Sequence, residues 1–213
     1  MTTKTSVSVL AAAVAVVTVL SNQPRAYMTN GAKWNSTPVS YFVNTTNLDL
    51  PGNAVVSAVQ AGADTWALQS TAAFAFRYAG TSSQTAITND GINLVVFRNA
   101  SSGSAIATTY SYYVGTTLID TDIVFWDGAF QFFAGMTGCA GGFYIEDIAT
   151  HEFGHALGLG HSTSASATMY PSTSACNTAN RSLDPDDLAG VLAIYGSRVL
   201  PVPTAPGGFR IVR

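Results

Sequence analysis

The chain of 213 residues is rich in apolar residues (47%) and poor in charged ones (10%), with a formal net charge of −3. This composition excludes a disordered chain, and the length suits one domain with a sizeable core. The net charge is small and the sequence has no cluster of basic residues, so nucleic acid is not expected as a partner.

Residues 1–26 are predicted to form a secretory signal peptide. Lys4 precedes an apolar run from Val7 to Leu20. This run is short for a membrane span and has the length of the central region of a signal. An uncleaved membrane anchor is the alternative interpretation. Cleavage predicts a secreted, extracellular protein that has no stable association with a membrane.

Hydrophobic patterns in residues 27–196 predict one α+β domain. Pro51 is expected at the first position of a helix. The inward face of this helix carries residues at helical spacing, namely Val55, Val59, Gly62 and Trp66. Runs of β-branched and aromatic residues predict five strands, at residues 39–44, 74–80, 91–99, 104–113 and 118–126.

Two further helices are predicted in the second half of the chain. One covers residues 144–159 and has acidic residues in its first turn, which suits the helix dipole. The other begins after Asp184 as N-cap, with Pro185 at its first position and Gly196 beyond its end. Residues 197–213 are rich in proline and glycine and are predicted to be a tail or linker.

Cys139 and Cys176 are the only cysteines in the chain. In an exported protein, two cysteines favour one disulfide bond, which here would bracket the segment that contains the histidines. Two free buried thiols are the alternative. Zinc ligation is less favoured, because neither cysteine lies in a CxxC pair.

All three histidines of the chain lie in the stretch HEFGHALGLGH, residues 151–161. His151 and His155 are four residues apart on the predicted helix, so both rings leave one face and suit the same zinc ion. Gly158 is able to end the helix and turn the chain, so that His161 supplies a third nitrogen. Three protein ligands leave a position open for water, which is the arrangement of catalytic zinc sites.

Glu152 is rotated by about 100° around the helix from His151, so it lies beside the metal without being a ligand. Its carboxylate is placed to take a proton from a zinc-bound water, whose pKa the metal lowers to about 7. Histidines packed in an ordinary buried helix are the alternative. The complete three-histidine pattern argues against that alternative.

The stretch HEFGHALGLGH resembles the zinc signature of the metzincin metallopeptidases. The residue after the third histidine helps to separate the metzincin groups, and Ser162 at this position resembles the matrixin type. ATMYP (167–171) resembles the matrixin Met-turn, and LDPDDLAGVLAIYG resembles the matrixin C-terminal helix. Two further stretches resemble the start and the fifth strand of bacterial matrixin-like domains, namely AYMTNGAKWNSTPVSYFVN and DTDIVFW. Together these similarities cover about residues 26–196.

The resemblance implies an α+β metzincin (zincin-like) fold, with a twisted five-stranded mixed sheet, two long helices, a Met-turn and a C-terminal helix. It implies one catalytic Zn²⁺, bound by His151, His155 and His161. Glu152 would be the general base and then the proton donor to the leaving amine. Met169 would form the floor of the site, although ordinary core packing would be the better interpretation of this methionine alone.

The resemblance also implies a protein or peptide as substrate. Tyr170 and Pro171 would line the pocket for the residue after the scissile bond. The strand at residues 105–113 would be a sheet edge that an extended peptide joins through main-chain hydrogen bonds; an ordinary edge strand is the alternative. The protein is expected to be a monomer.

Calcium is a second candidate metal, because some matrixins bind it through acidic loops. Asp120, Asp122 and Asp127 are the candidate ligands, although solvated loop carboxylates are the favoured interpretation. No histidine remains for the second, structural zinc of many matrixins.

The expected function is therefore that of a secreted zinc endopeptidase in which Glu152 activates a zinc-bound water. The rival from another class is a non-catalytic exported binding module that keeps zinc for folding and binds a surface partner. Glu152 argues against the rival, because zinc binding alone does not require that carboxylate. A membrane-tethered protease shares the chemistry and differs only in its N-terminus.

Overall fold

The computed structural model describes residues 25–199. The signal peptide prediction and the tail prediction therefore lie outside the described residues, apart from residues 25–26 and 197–199. Among the described residues, no helix has the length and hydropathy needed to cross a membrane.

The five predicted strands and three predicted helices follow one another in the predicted order along the described chain, and four two-residue strands were not predicted. The strands are β1 (Met28–Thr29), β2 (Val39–Val43), β3 (Phe76–Thr81), β4 (Leu94–Phe97), β5 (Ala107–Val114), β6 (Thr117–Phe125), β7 (Phe132–Phe133), β8 (Phe143–Tyr144) and β9 (Leu159–Gly160). The α-helices are α1 (Gly52–Leu68), α2 (Ile145–Ala156) and α3 (Pro185–Tyr195), and a short 3-10 turn covers Ala179–Arg181.

The main sheet has five strands in the order β3-β2-β4-β6-β5. Strands β3, β2, β4 and β6 run parallel to one another, and the edge strand β5 is antiparallel to β6. The five predicted strands and the mixed sheet are confirmed, with ends that differ by one to three residues. The predicted edge is confirmed as well, because β5 pairs with β6 alone among the described strands.

Helix α1 packs tightly against α2 through the face that the sequence predicts. Val55, Val59, Gly62 and Trp66 are all buried. A Cβ atom added to Gly62 would lie 2.7 Å from Ala149 Cβ and 2.8 Å from Thr150 N, so only glycine permits this approach. The Trp66 indole N–H donates to the Thr150 carbonyl at 2.9 Å. The position of α2 therefore depends on α1.

Two helix ends differ from the prediction. Helix α1 begins at Gly52, and Pro51 is its extended N-cap residue instead of its first helical one. Helix α2 ends at Ala156, before the predicted residue 159, because Gly158 has a φ of +113°. The residues after Gly158 leave the helix and form β9, which pairs with β1.

Helix α3 has the predicted caps at both ends. Asp184 is its N-cap and accepts a hydrogen bond from Asp186 N, Pro185 follows, and Gly196 is the C-cap residue. Asp187 completes a capping box by accepting from Asp184 N at 2.9 Å.

Three aspartates predicted to be solvated in loops are buried instead. Asp120 and Asp122 lie within β6, Asp127 follows it closely, and all three are at most 5% exposed. The segment before β4 covers the first two: Gly91 N donates to Asp120 at 3.0 Å, and Thr88 N to Asp122 at 3.1 Å. The solvated-loop interpretation is wrong. The carboxylates accept hydrogen bonds from backbone amides that would otherwise lack a partner in the interior.

We expect Gly62→Ala to lower the free energy of unfolding by about 1–3 kcal/mol, the usual cost of overpacking a core contact. At an exposed helical position the same change would stabilise the protein by up to about 1 kcal/mol. Urea denaturation followed by tryptophan fluorescence measures the difference. Ser57→Ala, on the exposed side of α1, is the control and should change stability by less than about 0.5 kcal/mol. A Gly62→Ala protein as stable as the wild type would contradict the packing described.

Candidate metal centre

The three histidines converge at the C-terminal end of α2. His151 and His155 leave one face of the helix, and the turn at Gly158 brings His161 beside them. One ring nitrogen from each residue lies within 4.8 Å of the others. No other group of three or more His, Cys, Asp or Glu side chains converges in this way within residues 25–199.

The ring orientations of two histidines fit a cation between them. His151 Nδ1 donates to the Thr168 carbonyl at 2.7 Å, and His155 Nδ1 donates to the Leu159 carbonyl at 2.9 Å. Since a carbonyl only accepts, both Nε2 atoms carry lone pairs, and they face each other at 3.1 Å. Two nitrogens bound to one tetrahedral zinc are about 3.3 Å apart, from bond lengths of 2.0–2.1 Å. The residues present therefore fit zinc.

Burial keeps these two histidines in the form that binds metal. Desolvation lowers the pKa of His151 to about 4, and it also lowers the pKa of His155 to about 4. Both rings are thus neutral near pH 7, and zinc binding displaces no proton from them. The carbonyls that accept from Nδ1 fix the ring orientation, as is usual around metal-binding histidines.

Glu152 lies beside the histidines and is held by the edge strand. Its side chain is only 6% exposed. The Thr109 hydroxyl of β5 donates to Glu152 Oε2 at 2.6 Å, which leaves Oε1 free for another partner. Burial raises the pKa of the Glu152 carboxyl, and the nearby His155 and Thr109 act in the opposite direction. The carboxylate is therefore placed to accept a proton.

Met169 packs against α2 at Gly154, which lies between His151 and His155 in the sequence. It is 1% exposed, and a Cβ atom added to Gly154 would collide with its sulfur. Asp187 of α3 holds this turn, because its carboxylate accepts from Thr168 N at 2.7 Å and from Met169 N at 3.1 Å. The His151 ring thus rests on a turn that α3 fixes.

Sequence reasoning missed Thr109 and Asp187 as residues that support the site. Thr109 lay within a predicted strand, but only the packing of the sheet against α2 shows which side of that strand faces Glu152. Asp187 lay within a predicted helix, and a capping-box pattern of acidic residues was the only local signal for it.

A cleft of about 430 Å³ opens next to the metal centre. His151, Glu152 and His161 line it, and so do Tyr170 and Pro171. Phe130 and Phe143 also line it and were not predicted; their rings pack edge to face with centroids 5.5 Å apart.

Cys139 and Cys176 form a disulfide bond, with Cα atoms 5.5 Å apart. The predicted pairing is confirmed, and the alternative of two free thiols is wrong. The bridge joins the segment before α2 to the loop after the Met-turn, close to the cleft.

This fold and this histidine arrangement define a zinc centre of the metzincin class, with the third ligand supplied after a glycine turn and a methionine underneath. The matrixin family model matches residues 33–196. The chain belongs to the matrixin family. The predicted resemblance, the α+β metzincin fold and the assignment of zinc as the cofactor are thereby confirmed.

Relatives match the chain over short stretches. Human neutrophil collagenase is 50% identical over 60 residues, which covers 28% of this chain and 13% of that protein. Human matrix metalloproteinase-20 is 49% identical over 67 residues, which covers 30% of this chain and 14% of that protein. Rat matrilysin is 49% identical over 51 residues, which covers 24% of this chain and 19% of that protein. Each match thus spans less than a fifth of the relative.

We expect the protein to bind one zinc ion per chain. His155→Ala should weaken zinc affinity by more than about 100-fold, because removing even a residue that only hydrogen-bonds to a ligand lowers affinity by about 10–100-fold. Glu152→Gln is the matched control and should keep the ion, because residue 152 is beside the ligands and not one of them. Competition titration with a zinc indicator measures both affinities. Unchanged affinity in the His155→Ala protein, or its loss in Glu152→Gln, would contradict the assignment.

Proposed function

We propose that this protein is a secreted, zinc-dependent endopeptidase that acts as a monomer on protein or peptide substrates. The observation that carries the proposal is the position of Glu152, a buried carboxylate beside three converging histidines at the side of an open cleft. Membership of the matrixin family supports it. The disulfide supports secretion, because such bonds persist in oxidising compartments.

Zinc, when bound by His151, His155 and His161, supplies Lewis-acid polarisation of the scissile carbonyl and increases the acidity of water. Glu152 accepts the proton of the attacking water through its free Oε1 atom. It then donates that proton to the nitrogen of the leaving amine, so one carboxyl group serves as base and acid in turn. Thr109 holds Oε2 and keeps the carboxylate in this orientation.

The substrate is proposed to lie along the edge of the sheet. The outer edge of β5 has no partner strand among the described residues, so its backbone groups are available to an extended peptide. Residues 104–107, Tyr170 and Pro171 line the same cleft as Glu152. A peptide that extends the sheet at β5 would therefore lie close to Glu152.

The cleft favours an apolar residue immediately after the scissile bond. Phe130, Phe143 and Ile148 contribute apolar surface to its lining. Apart from Glu152 and the histidines, no ionisable group other than the Tyr170 phenol is among the side chains that line this cleft in the described structure. A charged substrate side chain would therefore lose its hydration without gaining a partner.

The non-catalytic module is a weaker proposal. Zinc used only for folding would be best served by a closed set of four protein ligands. Here the converging group contains three, and the acid beside it is held by the hydroxyl of Thr109.

We expect Glu152→Gln to lower kcat for peptide hydrolysis by about 10²–10⁴-fold, the usual contribution of a general base, while zinc content stays at one ion per chain. Hydrolysis of a quenched fluorescent peptide measures the rate. Removal of zinc with a chelator should abolish activity, and added zinc should restore it. Activity that survives both changes would reject the proposed mechanism.

We expect Thr109→Val to lower kcat by about tenfold with little change in KM, because the variant keeps the size of the side chain and loses a charge-assisted hydrogen bond of roughly 1.5–3 kcal/mol. Thr109→Ser retains the hydroxyl and should restore most of the loss. A Thr109→Val protein with wild-type kcat would show that the hydroxyl does not orient Glu152.

A further inference from the structure

The far end of the cleft lies between two walls that differ in how they are held. We name Phe130 and Phe143 the Phe wall, and residues 172–178 the tethered loop. Ser172 and Thr173 of the tethered loop face the same cleft as the Phe wall. The space between them is where the side chain after the scissile bond would end.

The Phe wall is anchored to the core. Phe143 pairs in β8 with Phe132 of β7, and its backbone N–H donates to the Gln131 carbonyl at 2.9 Å. Phe132 is 1% exposed and packs edge to face on Phe125 with ring centroids 5.3 Å apart. This wall thus keeps its position without help from the tethered loop.

The tethered loop contains no helix or strand, and most of its residues are exposed. Its hydrogen bonds are largely internal, such as Asn177 Nδ2 to Thr173 Oγ1 at 2.8 Å. Across to the other wall, Cys176 N donates to the Gly142 carbonyl at 2.8 Å. The Cys139–Cys176 disulfide is the only covalent link at this point.

Cys176 also has an unfavourable backbone conformation. Its φ is +58°, and it is the one non-glycine residue with positive φ in the described chain. Such a conformation persists only where the surroundings impose it. The disulfide and the hydrogen bond to Gly142 are the contacts that impose it here.

The other partner of the disulfide has a second anchor. Arg181 donates to the Gly135 carbonyl at 3.0 Å and pairs with Glu146 of α2 at 3.1 Å. The segment that carries Cys139 would therefore stay in place without the disulfide. The tethered loop would then be linked to the opposite wall only by the hydrogen bond from Cys176 N to the Gly142 carbonyl.

We propose that the Cys139–Cys176 disulfide determines specificity: it fixes the tethered loop against the Phe wall and so limits the size of the substrate side chain that enters the far end of the cleft. This inference rests on the proposed peptidase function and adds a role for a bond that lies outside the catalytic group. Without the bond, the catalytic residues keep their places, and discrimination by size is lost.

The test compares wild-type protein with the double variant Cys139→Ser/Cys176→Ser. The substrates are peptides that differ only in the residue after the scissile bond, with leucine or tryptophan at that position. We expect the variant to keep its activity on the leucine peptide within about threefold. Its preference for leucine over tryptophan should fall about tenfold, the scale at which a small change in an apolar pocket alters specificity.

Hydrogen–deuterium exchange supplies a readout that does not depend on activity. Amides of residues 172–178 should exchange faster in the variant, and those of α2 should not change. If the variant does not fold, the folded wild-type protein is reduced with a phosphine and then reoxidised. Preference and exchange should shift on reduction and return on reoxidation.

The outcomes separate this inference from the function on which it rests. Active wild-type protein, with the same preference and the same exchange whether or not the disulfide is present, would overturn the inference and leave the peptidase intact. Wild-type protein that cleaves no peptide would count against the proposed function. In that case unchanged exchange in residues 172–178 would still reject the tether, and faster exchange would support it.

Discussion

The close packing of α2 between α1 and the Met-turn is the constraint on which the metal centre depends. Two glycines permit it: Gly62 lets α1 approach α2, and Gly154 leaves room for Met169. A side chain at Gly62 would have to move the backbone of α2, and one at Gly154 would have to displace the Met169 side chain and the Trp66 ring. Since two histidines and Glu152 all project from α2, their common geometry follows from this packing.

A second chain of contacts connects the C-terminal helix to the site. Asp187 accepts hydrogen bonds from the start of α3 and from the backbone of Thr168 and Met169. The Thr168 carbonyl in turn accepts from His151 Nδ1. One buried carboxylate thus caps the start of a helix, holds the Met-turn and helps to orient a ligand, which explains why the domain needs α3 although α3 supplies no ligand itself.

Local sequence patterns predicted the parts of the structure that depend on near neighbours. The histidine spacing, the turn at Gly158 and the caps of α3 are all set within a few residues, and they were predicted correctly. The end of α2 was predicted too late, because the backbone already leaves the helix before Gly158, and the pairing of the next residues with β1 depends on a distant segment. Thr109, the Phe wall and the burial of Asp120 and Asp122 were missed, since each depends on how distant segments pack.

The central claim is that three histidines form an open zinc site with a position left for water. X-ray absorption spectroscopy at the zinc edge tests it most directly in the zinc-loaded wild-type protein. The claim predicts three imidazole nitrogens and at least one oxygen at about 2.0–2.1 Å. A closed shell of four protein ligands, or sulfur at about 2.3 Å, would contradict it.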